Sequence, residues 1–154
     1  MIGDAEFRAI GHVVAQWAYL ETQFDFIVQV LIYQPSVKHL GLKPAQAFQR
    51  RVENVRAAAK VALADQPIPL KSLLKITDTV SSLRSFRDDI VHGHWKLHRF
   101  RGRLTTGLCV FSQVPNIKVR EMAFSAKKAE DIAAKISEAC LHLTLWCDQY
   151  VRSK

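Results

Sequence analysis

The sequence predicts a mainly α fold: an up-and-down four-helix bundle with a small antiparallel β-hairpin or meander inserted between the third and last long helices. Three observations predict it. Apolar residues recur at spacings of three, four and seven over most of the chain, the period of an amphipathic helix. The five Pro and six Gly are few and fall largely between the periodic runs. One stretch, about 95–124, leaves the helical period for short runs rich in Thr, Val, Leu and Phe. At 154 residues and 49% apolar the chain is most simply one domain, 1–154, large enough to close a core. It shows no internal repeat and no low-complexity tract.

The first helix is expected over 4–34. Asp4 is its expected cap, and Ile10, Val14, Trp17, Phe24, Val28 and Leu31 keep the period. Glu21 lies within that stripe. Pro35 ends the helix, and Pro44 suits the first turn of a second one running to about Ala64. Phe48, Val52, Val55, Ala59 and Ala62 form its inner face. Arg50, Arg51, Arg56 and Lys60 lie elsewhere on it, as a solvated face or a phosphate-contact surface. Asp65 to Pro69 reads as a stiff break. A third helix follows from about Leu70 to His92, with Leu73, Ile76, Val80, Leu83, Ile90 and Val91 on one face and Gly93 as its stop.

From Trp95 the chain reads as extended. Trp95 to Phe100 is a first arm, Arg101-Gly102-Arg103 a turn, Leu104 to Phe111 a second arm, and Ile117 to Phe124 a third. This part holds the densest positive run, His94, Lys96, His98, Arg99, Arg101 and Arg103. Ser125 then caps a last helix reaching Tyr150. Its inner face is Ala129, Ile132, Ile136, Ala139, Cys140, Leu143, Trp146 and Tyr150.

Twenty-two Lys and Arg against 14 Asp and Glu give a net charge of +8, which favours polyanionic partners such as RNA, DNA or anionic lipid. The three cysteines form no CxxC, so buried reduced thiols in a cytoplasmic chain are expected. Residues 1–6 lack the basic-then-apolar order of a signal peptide. No apolar run approaches the ~18 residues of a membrane span, so no membrane association is expected.

The chemistry concentrates where the third helix ends. Arg87 falls in the middle of an apolar stripe, and a guanidinium there requires an anionic partner. Glu21, in the corresponding place on the first helix, is the expected partner within the fold. Losing one member of such a buried pair costs about 3–5 kcal/mol. The other partner open to Arg87 is a phosphate arriving from outside. Asp88 lies one turn before His92, and His92 is the last helical residue before Gly93.

Arg87 and His92 enclose four residues, with the polar Asp88 directly after the Arg. This resembles the signature of the HEPN superfamily, an Arg and a His separated by four to six residues late in a helical bundle. The resemblance covers the helical scaffold of nearly the whole chain, with the β segment as an insertion. His94 also fits the spacing; His92 is preferred because it immediately precedes Gly93. The resemblance implies a metal-independent endoribonuclease without cofactor, acting as a homodimer that brings two motifs together. His92 would be the proton-transfer residue, Arg87 the phosphate stabiliser and Asp88 the residue orienting the imidazole. His94, Lys96, Arg99, Arg101 and Arg103 are the phosphate-binding candidates. By analogy with the family, the chain would be a toxin or defence effector, with RNA as substrate and an antitoxin protein as partner.

Two other readings compete. Arg87 can serve only to neutralise Glu21 and His92 only to cap the helix; the chain is then a noncatalytic binding or assembly module for nucleic acid, nucleotide or a protein. A metal site from His92, His94 and His98 with Asp88 and Asp89 nearby is weaker, because no third ligand is preorganised. No metal is therefore expected.

Overall fold

The structure, a computed structural model, describes the backbone of residues 3–43, 45–92, 94–100, 103–111 and 119–151, and the side chains of 3–43, 45–91 and 125–151. The chain is mainly helical. Helices α1 (Asp4–Ile32), α2 (Phe48–Ala62), α3 (Pro67–His92) and α4 (Ala126–Tyr150) account for most of these residues.

Each helix answers the problem of its unpaired first amides differently. Asp4 is not the cap of α1. The Phe7 amide donates to the Gly3 carbonyl at 3.1 Å, which makes Gly3 the cap, and the Gly3 amide donates to Glu6 Oε2 at 3.1 Å. This is the reach-back half of a capping box, and Asp4 becomes the first helical residue, where the dipole favours its charge.

Helix α2 starts at Phe48 rather than at Pro44, which lies outside the described residues. The connection before it is held by α2 side chains: Asn54 Nδ2 donates to Lys43 O at 2.9 Å and Arg51 Nε to Ala45 O at 2.8 Å. Those carbonyls therefore serve a strap across the helix, not a helical turn. Gly41, at φ +56°, closes a 3-10 turn over Lys38–Leu40, a conformation that favours glycine.

The expected break at 65–69 is shorter than read. Leu70 N–H donates to Gln66 O at 3.2 Å, so α3 begins at Pro67. Pro67 and Pro69 both sit in the first turn, where a missing amide hydrogen removes no helical bond. At α4, Ser125 is the cap, its Oγ accepting from the Lys128 amide at 3.2 Å.

The buried stripe of α1 is Ala9, Val13, Trp17, Leu20, Phe24, Ile27, Val28 and Leu31. Two expected members miss it: Ile10 is only partly buried and Val14 is 43% exposed. Residues i and i+1 lie about 100° apart on a helix, and α1 is apolar on more than one side. Two stripes therefore fit its pattern, and Trp17, Phe24, Val28 and Leu31 belong to both.

Between α3 and α4 the backbone forms β1 (His94–Phe100), β2 (Arg103–Phe111) and β3 (Val119–Phe124), antiparallel in the order β1-β2-β3. The register pairs Phe100 with Arg103 and His94 with Cys109 on one side of β2, and Thr106 with Phe124 on the other.

The chain divides into two compact units, Met1–Trp17 with Leu83–Lys135 and Ala18–Ser82 with Ile136–Lys154, and α1, α3 and α4 contribute to both. In the second unit four helical segments meet in cyclic order. Phe24 of α1 packs edge-on against Phe48 of α2, with ring centroids 5.3 Å apart. Arg56 Nε of α2 donates to Thr77 Oγ1 of α3 at 2.9 Å. Trp146 Nε1 of α4 donates to Pro69 O of α3 at 2.9 Å. Gln23 Nε2 of α1 donates to Thr144 Oγ1 of α4 at 2.7 Å, closing the ring. The first unit buries Ala9, Val13 and Trp17 of α1, Leu83 and Ile90 of α3, and Ala129, Ile132 and Ala133 of α4.

Candidate functional site

The last turns of α3 place Arg84, Arg87 and Asp88 together. Arg84 and Asp88 are one turn apart and share a face. Arg84 Nε lies 3.4 Å from Asp88 Oδ2, and Arg87 Nη1 donates to Asp88 Oδ1 at 2.9 Å. Two guanidinium groups thus share one carboxylate. A carboxylate near a helix C-terminus opposes the dipole, and these cations offset that penalty.

The guanidinium carbon of Arg87 sits 5.5 Å from the centroid of the Trp17 ring. Trp17 is buried in the α1 stripe, so this cation–π contact is partly desolvated and contributes about 1–2 kcal/mol. The Arg87 side chain keeps 22% of its surface exposed. It is therefore neither sealed in the core nor free in solvent.

Asp88, expected to orient the His92 imidazole, is bonded among the described residues to Arg84 and Arg87. His92 is the terminal residue of α3, five positions after Arg87; its side chain lies outside the described residues. Among the phosphate-binding candidates, the backbone places His94, Lys96 and Arg99 on β1 and Arg103 at the start of β2. Their side chains, and Arg101 as a whole, lie outside the described residues. Glu21 is half-buried in the second unit, where its carbonyl accepts from Arg51 Nη1 at 3.5 Å. Within the first unit, Arg87 is paired with the carboxylate of Asp88.

One residue of the site was not singled out from the sequence. Trp17 read as core, which it is, but it is also the platform under Arg87. Asp89, named from the sequence only as lying near a possible metal site, is 8% exposed, the most buried carboxylate among the described residues.

Of the four bases singled out on α2, Arg50 and Lys60 are exposed, and Arg51 and Arg56 are half-buried. Arg51 bonds Asp25 Oδ2 at 2.7 Å and the Ala45 carbonyl. Arg56 pairs with Asp78 and donates to Thr77. Arg50 pairs with Glu53 at 3.0 Å, one turn along. Arg51 and Arg56 are ties between helices.

Cys140 and Cys147 are buried, and burial pushes the Cys140 thiol up to about 11. A thiol held protonated is a poor nucleophile. Among the described residues no group of three or more His, Cys, Asp or Glu is placed to hold a metal ion, and no helix is long and apolar enough to cross a membrane. No family model matches the chain, and no curated protein or solved structure does either.

Proposed function

We propose that this chain is a HEPN-type domain that cleaves RNA without a metal ion, with Arg87 and His92 as the working pair. The observation that carries this reading is the presentation of Arg87: a guanidinium on a Trp17 platform, steadied by Asp88, still 22% exposed, and five residues before the end of α3 at His92. RNA brings its own nucleophile. The 2′-oxygen attacks phosphorus while the bond to the 5′-oxygen breaks, leaving a 2′,3′-cyclic phosphate and a 5′-hydroxyl. The 2′-hydroxyl loses one proton and the 5′-oxygen gains one, transfers suited to an imidazole near neutrality. Arg87 stabilises the charge on the phosphoryl oxygens. The inserted β-meander supplies the phosphate-contact arm through His94, Lys96, Arg99, Arg101 and Arg103. In this reading the protein works in the cytoplasm as a homodimer, as a toxin or defence effector restrained by an antitoxin.

The test is incubation of the purified protein with mixed RNA in EDTA. Cleavage should persist, yield cyclic-phosphate ends, and fall by at least ~10²-fold in His92→Ala and in Arg87→Ala. Intact RNA at high protein concentration rejects the reading.

One observation favours a second reading. Asp88 is shared by Arg84 and Arg87, so both guanidinium groups already have an internal anion. That suits a noncatalytic binding or assembly module. RNA binding without cleavage, unchanged by His92→Ala, selects it.

A further inference from the structure

From Phe26 to Val52 the chain carries Lys38, His39, Lys43, Arg50 and Arg51 and no Asp or Glu. Where this stretch enters α2, within the second unit, it borders a half-open cavity of about 400 Å³. Leu40, Leu42, Lys43, Gln46, Arg50 and Asn54 are among its lining residues, and no carboxylate is among those described. Its volume lies in the range of small-molecule sites.

The strap over α2 has its carbonyls occupied and its amides left over. Asn54 Nδ2 takes the Lys43 carbonyl and Arg51 Nε the Ala45 carbonyl. The amides of Lys43, Gln46 and Ala47 donate to no acceptor among the described residues. Asn54 itself is 4% exposed. A carbonyl can only accept, so the Lys43 bond fixes which end of the Asn54 amide is nitrogen. Its Oδ1, at the cavity, accepts from no donor among the described residues. A buried amide oxygen without a donor is costly, and a donor entering the cavity removes that cost.

The charged groups are open as well. Lys43 has no anionic partner among the described residues. Arg50 donates from Nη1 to Glu53, which does not line the cavity, and its guanidinium has further N–H groups to offer. The first turn of α2 adds the positive end of its dipole, and its cap, Ala47, supplies no side-chain bond.

We propose that this cavity binds a small sugar phosphate. Two cations and unpaired amides suit the several oxygens of a phosphate group. Asn54 Oδ1 and the Gln46 side chain take the sugar hydroxyls. No lining residue is aromatic, so a nucleobase has no platform to stack on. The site is independent of the nuclease reading, since none of its residues belongs to the α3 cluster.

The test is isothermal titration calorimetry of the full chain with ribose 5-phosphate, at physiological ionic strength in phosphate-free buffer. Saturable binding should be at least about fivefold tighter than that of inorganic phosphate, and ribose alone should give no binding heat. Lys43→Ala should weaken binding by about tenfold and Gln46→Ala by about threefold. Both positions are exposed, and circular dichroism verifies that the variants fold. Lys71→Glu, at an exposed base of α3 that does not line the cavity, should change affinity by less than about twofold, which separates the site from the general positive charge. In the NMR spectrum of the parent, the side-chain amide of Asn54 should shift as ribose 5-phosphate is added. Lack of binding at about 10 mM overturns the proposal. So does equal affinity of the parent and Lys43→Ala, and equal affinity for inorganic phosphate rejects the sugar.

Discussion

The end of α3 and the outer face of α1 and α4 in the second unit are both helical surfaces, but they organise charge in opposite ways. At the end of α3, Arg84 and Arg87 converge on one carboxylate, and an indole supports the cation left half-open. Along the outer face, Lys and Arg are absent, Tyr19, Phe26, Leu141 and Leu145 stand in solvent, and the charges there are carboxylates. The net charge of +8 describes neither place. Within one basic protein, surfaces of different local charge coexist.

The contrast is sharpest in stability. Trp17→Ala removes an indole that is 1% exposed and also the support under Arg87, and should destabilise the fold by about 3–5 kcal/mol in urea unfolding. Phe26→Ala, on the outer face, should stay within about 1 kcal/mol. Equal losses would mean that the outer row is packed like the core.

Trp146 tests the opposite side of α4, where the helix packs inward. Its Nε1 donates to the Pro69 carbonyl in a buried setting. Trp146→Phe keeps most of the apolar bulk but leaves that carbonyl without its donor, a loss of about 1–3 kcal/mol. A midpoint unchanged from the parent would show that water replaces the indole there.

A comparable effect is expected from pH. Burial raises the Cys140 thiol from 9.0 to about 11, so between these values the unfolded chain has released a proton that the folded chain retains. The unfolded state then binds fewer protons, and stability falls as pH rises through that window. The contribution is complete below about pH 9 and gone above about 11, a swing of about 3 kcal/mol. Cys140→Ala should flatten that part of the curve of unfolding free energy against pH. The parent should also resist thiol reagents at this position while folded.

How much of this was legible in the residues differs between the two surfaces. The α3 cluster could be located because a guanidinium amid Ile76, Val80, Leu83 and Ile90 breaks a pattern. Its partners could not, since Asp88 directly follows Arg87 and adjacent residues do not ordinarily face one another on a helix. Only the reach of the Arg side chain joins them. The outer face was hidden for a different reason. Val14 fits an apolar stripe as well as Val13 does, and only packing decides which is buried. Four helices were readable from their period, yet the first turn of α3 was missed because Pro67 and Pro69 read as breakers although they occupy positions that need no amide hydrogen.

The smallest effect on folding carries the most information about the α3 cluster. Asp88 is 39% exposed, and both of its cation contacts are partly solvated, so Asp88→Asn should change stability by less than about 1 kcal/mol. It nevertheless removes the internal anion that Arg84 and Arg87 share. If incoming phosphate competes for those guanidinium groups, the variant should bind single-stranded RNA more tightly at low salt. The slope of log affinity against log salt should steepen by about 0.7 for each additional phosphate engaged. The same substitution should leave binding of ribose 5-phosphate unchanged, because no residue of the cavity beside α2 is altered. An RNA slope identical to the parent's would show that phosphate does not reach these two arginines, leaving the α3 cluster as a structural tie.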